Sequence, residues 1–443
     1  MMPACRCARP AGIRVIETGS TTTPGRGLED DGNGPRRCRS CGAPLDAVFA
    51  DLGMAPPCED FLVPERVSAP ETFYPLDVRV CGACLLVQLP AYVPPEDIFT
   101  EYAYFSSYSD SWVEHARSFV DGAVERFGLT ASSRVIEVAS NDGYLLQHVL
   151  ARGIPALGIE PARNVARAAE GRGVPTVTQF LTRDLALDVV AGHGPADLLV
   201  ANNVFAHVPD LGDFTEALRT LLAPGGVLSI EVAHLVRLVE GNQFDTIYHE
   251  HFQYYTLLSA EAVLARHGLR VFDVELLSTH GGSLRLLVVH ADDPRPATPH
   301  VDALRETELA AGYGGLAGYL GFQARIEATK RDLLDFLIAA RREGAAVAGY
   351  GAPGKGNTLL NYCGIRTDLV DYLVDRNPYK HGRFTPGTHI PIHPVERLEQ
   401  TRPDVILILP WNLRTEIAGQ LAPTRAWGAR LVVPIPRVEV LAP

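Results

Sequence analysis

"SRVIEVASNDGYLLQHVLAR", residues 133–152, opens with the apolar run Val135–Val138 and turns through small polar residues. It then continues with apolar positions at helical spacing, which predicts strand, tight turn and helix. "IPALGIEPARNVARAAEGRG", residues 154–173, repeats the scheme. "ADLLVANNVFAHVPD" (196–210) supplies a third strand, and "LRTLLAPGGVLSIEV" (218–232) a helix, a Pro-Gly-Gly turn and a fourth strand. Strands separated by helices pair in parallel, with helices on both faces. Ligands of such sheets bind at the carboxyl ends of the strands. The expected contacts are therefore Ala139, Asn141, Asp142 and Gly143 after the first strand, Glu160 after the second, and Asn202 and Asn203 after the third. A carboxylate at the end of a second strand can accept both hydroxyls of a ribose, the role expected of Glu160.

Composition bounds what surrounds this sheet. At 443 residues, with 47% hydrophobic and 21% charged residues, the chain reads as a globular protein of two or three domains. A net charge of −12 disfavours nucleic acid as a general partner, because phosphate neutralisation needs a basic face. No membrane-spanning run and no secretory h-region are visible, so a cytoplasmic location is expected. Residues 1–35, rich in Gly, Pro, Thr and Arg, read as a flexible extension.

Eight cysteines in such a protein read as metal ligands more readily than as disulfides. "CRSC" carries Cys38 and Cys41, and "CGAC" carries Cys81 and Cys84. Two CxxC turns provide four thiolates, a closed tetrahedral shell for structural zinc. The spacer between them is longer than that of an ordinary zinc ribbon, so something is inserted there. Cys58 and Cys363 read as small buried hydrophobes.

Near the C-terminus, "GAAVAGYGAPGKGNTLLNYCG" (344–364) is strand, glycine-rich turn and helix. Gly349, Gly351 and Gly354 have GxGxxG spacing, with Asp375 downstream, as in a dinucleotide site. A P-loop is excluded, since Gly356 stands where a magnesium-binding Ser or Thr is needed. What survives is an anion cradle of amides, helix N-terminus and lysine, suited to a diphosphate. The contacts expected there are Gly351, Pro353, Lys355, Asn357 and Arg376. Lys380, His381 and Arg383 add basic character, and residues 300–443 read as a smaller Rossmann-like domain.

"DTIYHEHFQYYT", residues 245–256, crowds two histidines, a glutamate and three tyrosines together. The spacing is not that of a zinc protease, which needs histidines at i and i+4. A surface turn and an acid–base site both fit the residues alone.

A closing hairpin, "HGLRVFDVELLSTHGGSLRLLVVHA" (267–291), follows the alternating elements. With it the chain resembles the class I S-adenosylmethionine methyltransferases over about residues 130–290. It departs from them in having a single glycine, Gly143, in the first loop. Taken with the two CxxC turns, "TEYAYFSSYSDSWVEHA" (100–116) and "YHEHFQYYT", the chain resembles the zinc-containing C-methyltransferases of deoxysugar biosynthesis from residue 36 onward. That resemblance implies a zinc module (36–100), a cofactor-binding domain (101–299), a C-terminal nucleotide-sugar domain (300–443), S-adenosylmethionine, and a dTDP-linked 4-ketosugar substrate. It implies that Tyr104, His207, Tyr248, Glu250 and His251 lie at the sugar. His251 is the expected base, oriented by Glu250 or leaving Glu250 to hold a sugar hydroxyl or amine. Tyr104, Tyr248 and His207 are the candidates for stabilising the C4 oxygen. His249 is expected to be structural. A monomer or small homo-oligomer is expected.

Overall fold

The computed structural model describes residues 36–96 and 105–442; the extension 1–35 and Tyr104 lie outside the described residues. The segment between the CxxC turns contributes β1 (Ala47–Ala55) and β2 (Tyr74–Val80), and β3 (Val87–Gln88) follows the second turn. They pair antiparallel. In β2, Leu76, Val78 and Val80 are buried while Asp77 and Arg79 are not, the alternation of a sheet covered on one face.

The central sheet is built from β4 (Val135–Val138), β5 (Ala156–Ile159), β6 (Thr176–Val177), β7 (Ala196–Asn202) and β8 (Leu222–Ala233). β9 (Gln253–Tyr254) leaves it, and β10 (Leu269–Leu277) and β11 (Ser283–His290) close it. The order is β10-β11-β8-β7-β4-β5-β6. β4 to β8 are parallel, and β11 runs antiparallel to both β8 and β10. This is the class I methyltransferase arrangement. All four residues of β4 are buried, as expected of a strand covered by helices on both faces. One cover is the helix Asp110–Phe127, capped by the Ser109 side chain and stopped by Gly128 at φ +62°. It packs Ala116, Phe119, Val120 and Ala123 inward.

β9 pairs with β3 through Val87–Tyr254 and Gln88–Gln253, so the histidine-rich stretch is stitched into the zinc module's sheet. The expected boundary at 299/300 falls inside the helix Pro299–Ala310, which is tied to the central sheet by the Thr298 amide donating to the Phe272 carbonyl.

The C-terminal sheet comprises β12 (Val347–Tyr350), β13 (Tyr372–Val374), β14 (Ile392–His393), β15 (Val405–Ile408), β16 (Arg430–Val433) and β17 (Glu439–Val440). Its order is β14-β13-β12-β15-β16-β17, so the chain reverses direction across the sheet at β12, where ligand crevices form. One apolar cluster runs from Phe49 and Leu76 through Leu235 and Ile247 to Val347 and Ile406. A second joins the cysteines to the central sheet through Ile136, Leu157 and Leu228. Zinc module, central sheet and C-terminal sheet therefore share cores. No helix among the described residues is long and apolar enough to cross a membrane.

Candidate active site

The two CxxC turns bring Cys38, Cys41, Cys81 and Cys84 together with all four sulfurs within 4.8 Å of one another. The Cys38–Cys84 and Cys41–Cys81 sulfurs are 3.5 Å apart. A tetrahedron of zinc–sulfur bonds near ~2.3 Å needs edges close to that, so the four ligands fit the ion. Gln88 Nε2 donates to Cys38 Sγ, and the Ala83 and Cys84 amides point at Cys81 Sγ. Such donors hold thiolates in place around a metal. Four protein ligands leave no open position, so the ion is structural.

At the carboxyl end of β4 the chain turns with Ala139 at φ +55°, Asn141 at +48° and Gly143 at +78°. Left-handed Ala and Asn persist only where neighbours hold them. Here the Asn141 amide donates to Glu160 Oε2 at 2.9 Å, and its side-chain oxygen accepts from the Ser106 amide at 2.8 Å. Glu160 Oε1 accepts from the Ala162 amide at 2.8 Å, and burial raises its pKa. Glu137 Oε2, Ser140 Oγ, Asn202 Oδ1 and Asn203 Nδ2 are buried without a partner among the described residues. Unsatisfied polar atoms converging on the end of a parallel sheet fit a polar ligand such as S-adenosylmethionine. Asp142 is fully buried; its Oδ2 pairs with Arg172 at 2.7 Å, while its Oδ1 joins the buried atoms without a partner among the described residues.

The histidine-rich stretch leaves β8 through the helix Leu235–Glu240 and a turn at Phe244–Thr246. His251 Nδ1 lies 2.8 Å from the Thr246 carbonyl. A carbonyl only accepts, so Nδ1 carries a proton, and in the neutral ring the lone pair that a general base requires is then on Nε2. The His251 ring centroid lies 4.1 Å from that of Tyr248 and 4.7 Å from that of His207, which arrives from the end of β7. Burial pulls the His207 pKa down to about 4, so its imidazole is neutral near pH 7. His249 turns the other way, onto the Tyr74 carbonyl at 3.3 Å and edge-on to the Tyr74 ring. His251 Nδ1 is met by the Thr246 carbonyl, and Glu250 accepts from the Cys58 thiol at 3.7 Å. Cys58 is thus buried as expected but acts as a donor to the site, which its apolar reading missed.

Asp245, at the head of the same stretch, is fully buried; Trp411 Nε1 donates to its Oδ2 at 2.7 Å. Burial pushes its pKa up to about 6, against the Lys355 charge. The composition of the stretch could have flagged Asp245. Nothing local marks Cys58, Thr246 or Trp411.

At the glycine-rich turn, Gly351 has φ +82°, and a Cβ there would stand 2.5 Å from Pro410. The Ala352 amide donates to Asp375 Oδ2 at 2.7 Å, and a Cβ on Gly354 would lie 2.9 Å from a Glu59 carboxylate oxygen. Lys380 Nζ lies 3.9 Å from Glu59. Carboxylates of the chain itself therefore sit where an anion was expected. Lys355 turns to Asn412 Oδ1 at 2.9 Å and lies over the Trp411 ring. Asn357 is 1% exposed and donates to the Cys58 carbonyl, so it faces inward from the cradle. Arg376 is exposed, and Pro353 precedes the first residue of the helix Gly354–Cys363.

Comparison with known proteins accords with this arrangement. Residues 38–99 match the model of a zinc binding domain, residues 112–274 that of a methyltransferase domain, and residues 278–436 that of the C-methyltransferase C-terminal domain. The C-methyltransferase NovU of Streptomyces niveus is 36% identical over 407 residues, covering 91% of this chain and 96% of that protein. Among solved structures, magnesium protoporphyrin IX methyltransferase (ChlM) from Synechocystis PCC 6803 with bound SAH is 16% identical with a TM-score of 0.33, over 40% of this chain and 83% of that one. An S-adenosylmethionine-dependent methyltransferase from Clostridium acetobutylicum is 14% identical with the same TM-score, 0.33, over 40% of this chain and 91% of that one.

Proposed function

The chain belongs to the family of zinc-containing, S-adenosylmethionine-dependent C-methyltransferases, and from that premise we propose that it methylates C3 of a dTDP-linked 4-keto-deoxysugar. The observation that carries this reading is the meeting of His251 with Tyr248 and His207 at the carboxyl end of the sheet. The setting is deoxysugar assembly in natural-product biosynthesis, in the cytoplasm.

Carbon is a poor nucleophile until a proton leaves it. A ketone at C4 acidifies the C3 hydrogen, because the electron pair released moves into an enolate. His251 Nε2 takes that proton, and the Thr246 carbonyl steadies the resulting imidazolium through Nδ1. A positioned base of this kind contributes roughly 10²–10⁴-fold. His207, neutral at pH 7, and Tyr248 donate to the C4 oxygen as charge develops. Tyr104, outside the described residues, is proposed as a third such group. Glu250 holds a sugar hydroxyl or amine. Glu160 would hold the ribose of S-adenosylmethionine, with Ala139, Asn141, Asp142, Gly143 and Asn202 lining its site. S-adenosylmethionine, when bound, supplies an electrophilic methyl that the C3 carbanion captures as the sulfonium becomes a thioether. Lys355 and Arg376, with the Gly351–Pro353 turn, hold the sugar's diphosphate once it displaces Glu59.

Deuterium exchange tests the reading. The enzyme incubated in D2O with dTDP-4-keto-6-deoxyglucose and S-adenosylhomocysteine should place deuterium at C3. His251→Ala should lower that rate by about 10²–10⁴-fold while S-adenosylhomocysteine binding, by calorimetry, is retained. Absence of exchange in enzyme that turns over would overturn the mechanism, and exchange at C5 alone would move the methylated carbon.

A further inference from the structure

We propose that Cys58 is a positioning residue for Glu250, so that the insertion between the two zinc-binding turns forms part of the catalytic apparatus. The inference rests on the role proposed above for Glu250.

Cys58 is 3% exposed and its Sγ lies 3.7 Å from Glu250 Oε1. Burial, together with the charges of Glu250 and Glu59, keeps the thiol protonated, so it acts as a neutral donor rather than a nucleophile. The backbone around it is held from the other side. Asn357 Nδ2 donates to the Cys58 carbonyl at 2.6 Å. The Leu62 and Phe384 amides each donate to the other's carbonyl at 2.9 Å. Gly354 approaches Cys58 so closely that a Cβ there would come within 2.9 Å of the sulfur. Cys58 is therefore where the zinc insertion, the histidine-rich stretch and the C-terminal turn meet. Its donor pins one oxygen of the Glu250 carboxylate and so sets the rotation of that group. A purely apolar packing residue would not need its sulfur aimed at a carboxylate 192 positions away. It also gives Asn357 a part: the asparagine fixes the register of the residue that holds Glu250.

Full-length, zinc-loaded wild type, Cys58→Ser, Cys58→Ala and Cys58→Val are compared in two ways. The first needs no sugar. The S–H infrared band of Cys58, isolated as the difference between wild type and Cys58→Ser, should shift to higher frequency in Glu250→Ala. The second is the pH profile of deuterium exchange. Cys58→Ala should lose about tenfold in rate with KM little changed, and its acid limb should move to higher pH, because the ionised carboxylate has lost a donor. Cys58→Ser should stay within about threefold of wild type. Equal losses in Ser, Ala and Val variants with an unmoved pH profile would reduce Cys58 to a space-filling residue and overturn the proposal. So would an S–H band indifferent to Glu250. If Cys58→Ala does not fold, the near-isosteric Val variant replaces it. If wild type itself shows no exchange, the sugar reading falls, and the infrared band alone decides this one.

Discussion

His251 turns Nδ1 to the Thr246 carbonyl, and the imidazoles of His207 and His249 are held neutral by burial. His207 and His249 each have folded-state pKa values of about 4, below the ordinary 6.5. A base whose pKa is lowered by folding binds fewer protons in the native state, so its contribution is complete above pH 6.5 and is lost as pH falls through 4. The loss of Tm between those two pH values should therefore flatten in His207→Asn and in His249→Gln, as measured by calorimetry across that range. Curves parallel to wild type would contradict the burial argument. Asp245, raised to about 6, works in the opposite sense: its protonated form is favoured by folding, and that contribution fades as pH rises through 6.

The turn from β4 into the helix Leu146–Leu150 gathers three residues of positive φ, and only one of them is glycine. Two polar ties to Asn141 hold the strain in place. Gly143 is required both by its φ of +78° and by Val174, whose Cγ2 would lie 2.8 Å from a Cβ. Gly143→Ala should cost about 1–3 kcal/mol of stability and weaken S-adenosylhomocysteine binding. The double variant Gly143→Ala/Val174→Ala should recover part of the stability, because the clash is relieved while the left-handed strain remains. Full recovery would show that φ imposes nothing, and no recovery would show that the clash imposes nothing. The zinc-module strands follow a different logic. β2 carries one-sided alternation because its outer face is solvated, and β1 does so with breaks where its register to β2 shifts, whereas β4 is buried throughout, Glu137 included, because both its faces are covered.

Across the whole molecule, the four cysteines pack onto the core of the central sheet, while β1 and β2 pack onto the core shared with the C-terminal sheet. The zinc ligands therefore anchor a wall of the candidate site rather than a detached module. Removing the ion with a chelator, followed by metal release and exchange assays, should cost at least about tenfold more in deuterium exchange than in S-adenosylhomocysteine affinity, because the Cys58 segment moves while the β4 turn persists. Full exchange activity in zinc-free protein would refute this. Much of this architecture is legible in the residues themselves. Alternating strand and helix periods specify the parallel sheet, and paired CxxC turns specify the zinc ligands. A strand end marks Glu160 as a candidate ligand contact, and each of these signals reflects local backbone geometry over a few neighbouring positions. What the tertiary structure alone decides is different in kind. It joins β9 to the zinc module's sheet, places Glu59 beside Gly354, links Asp245 to Trp411 across 166 positions, and aims Cys58 at Glu250 across 192. A contact between two single side chains so far apart leaves no period in the sequence, because it exists only once every intervening element has packed.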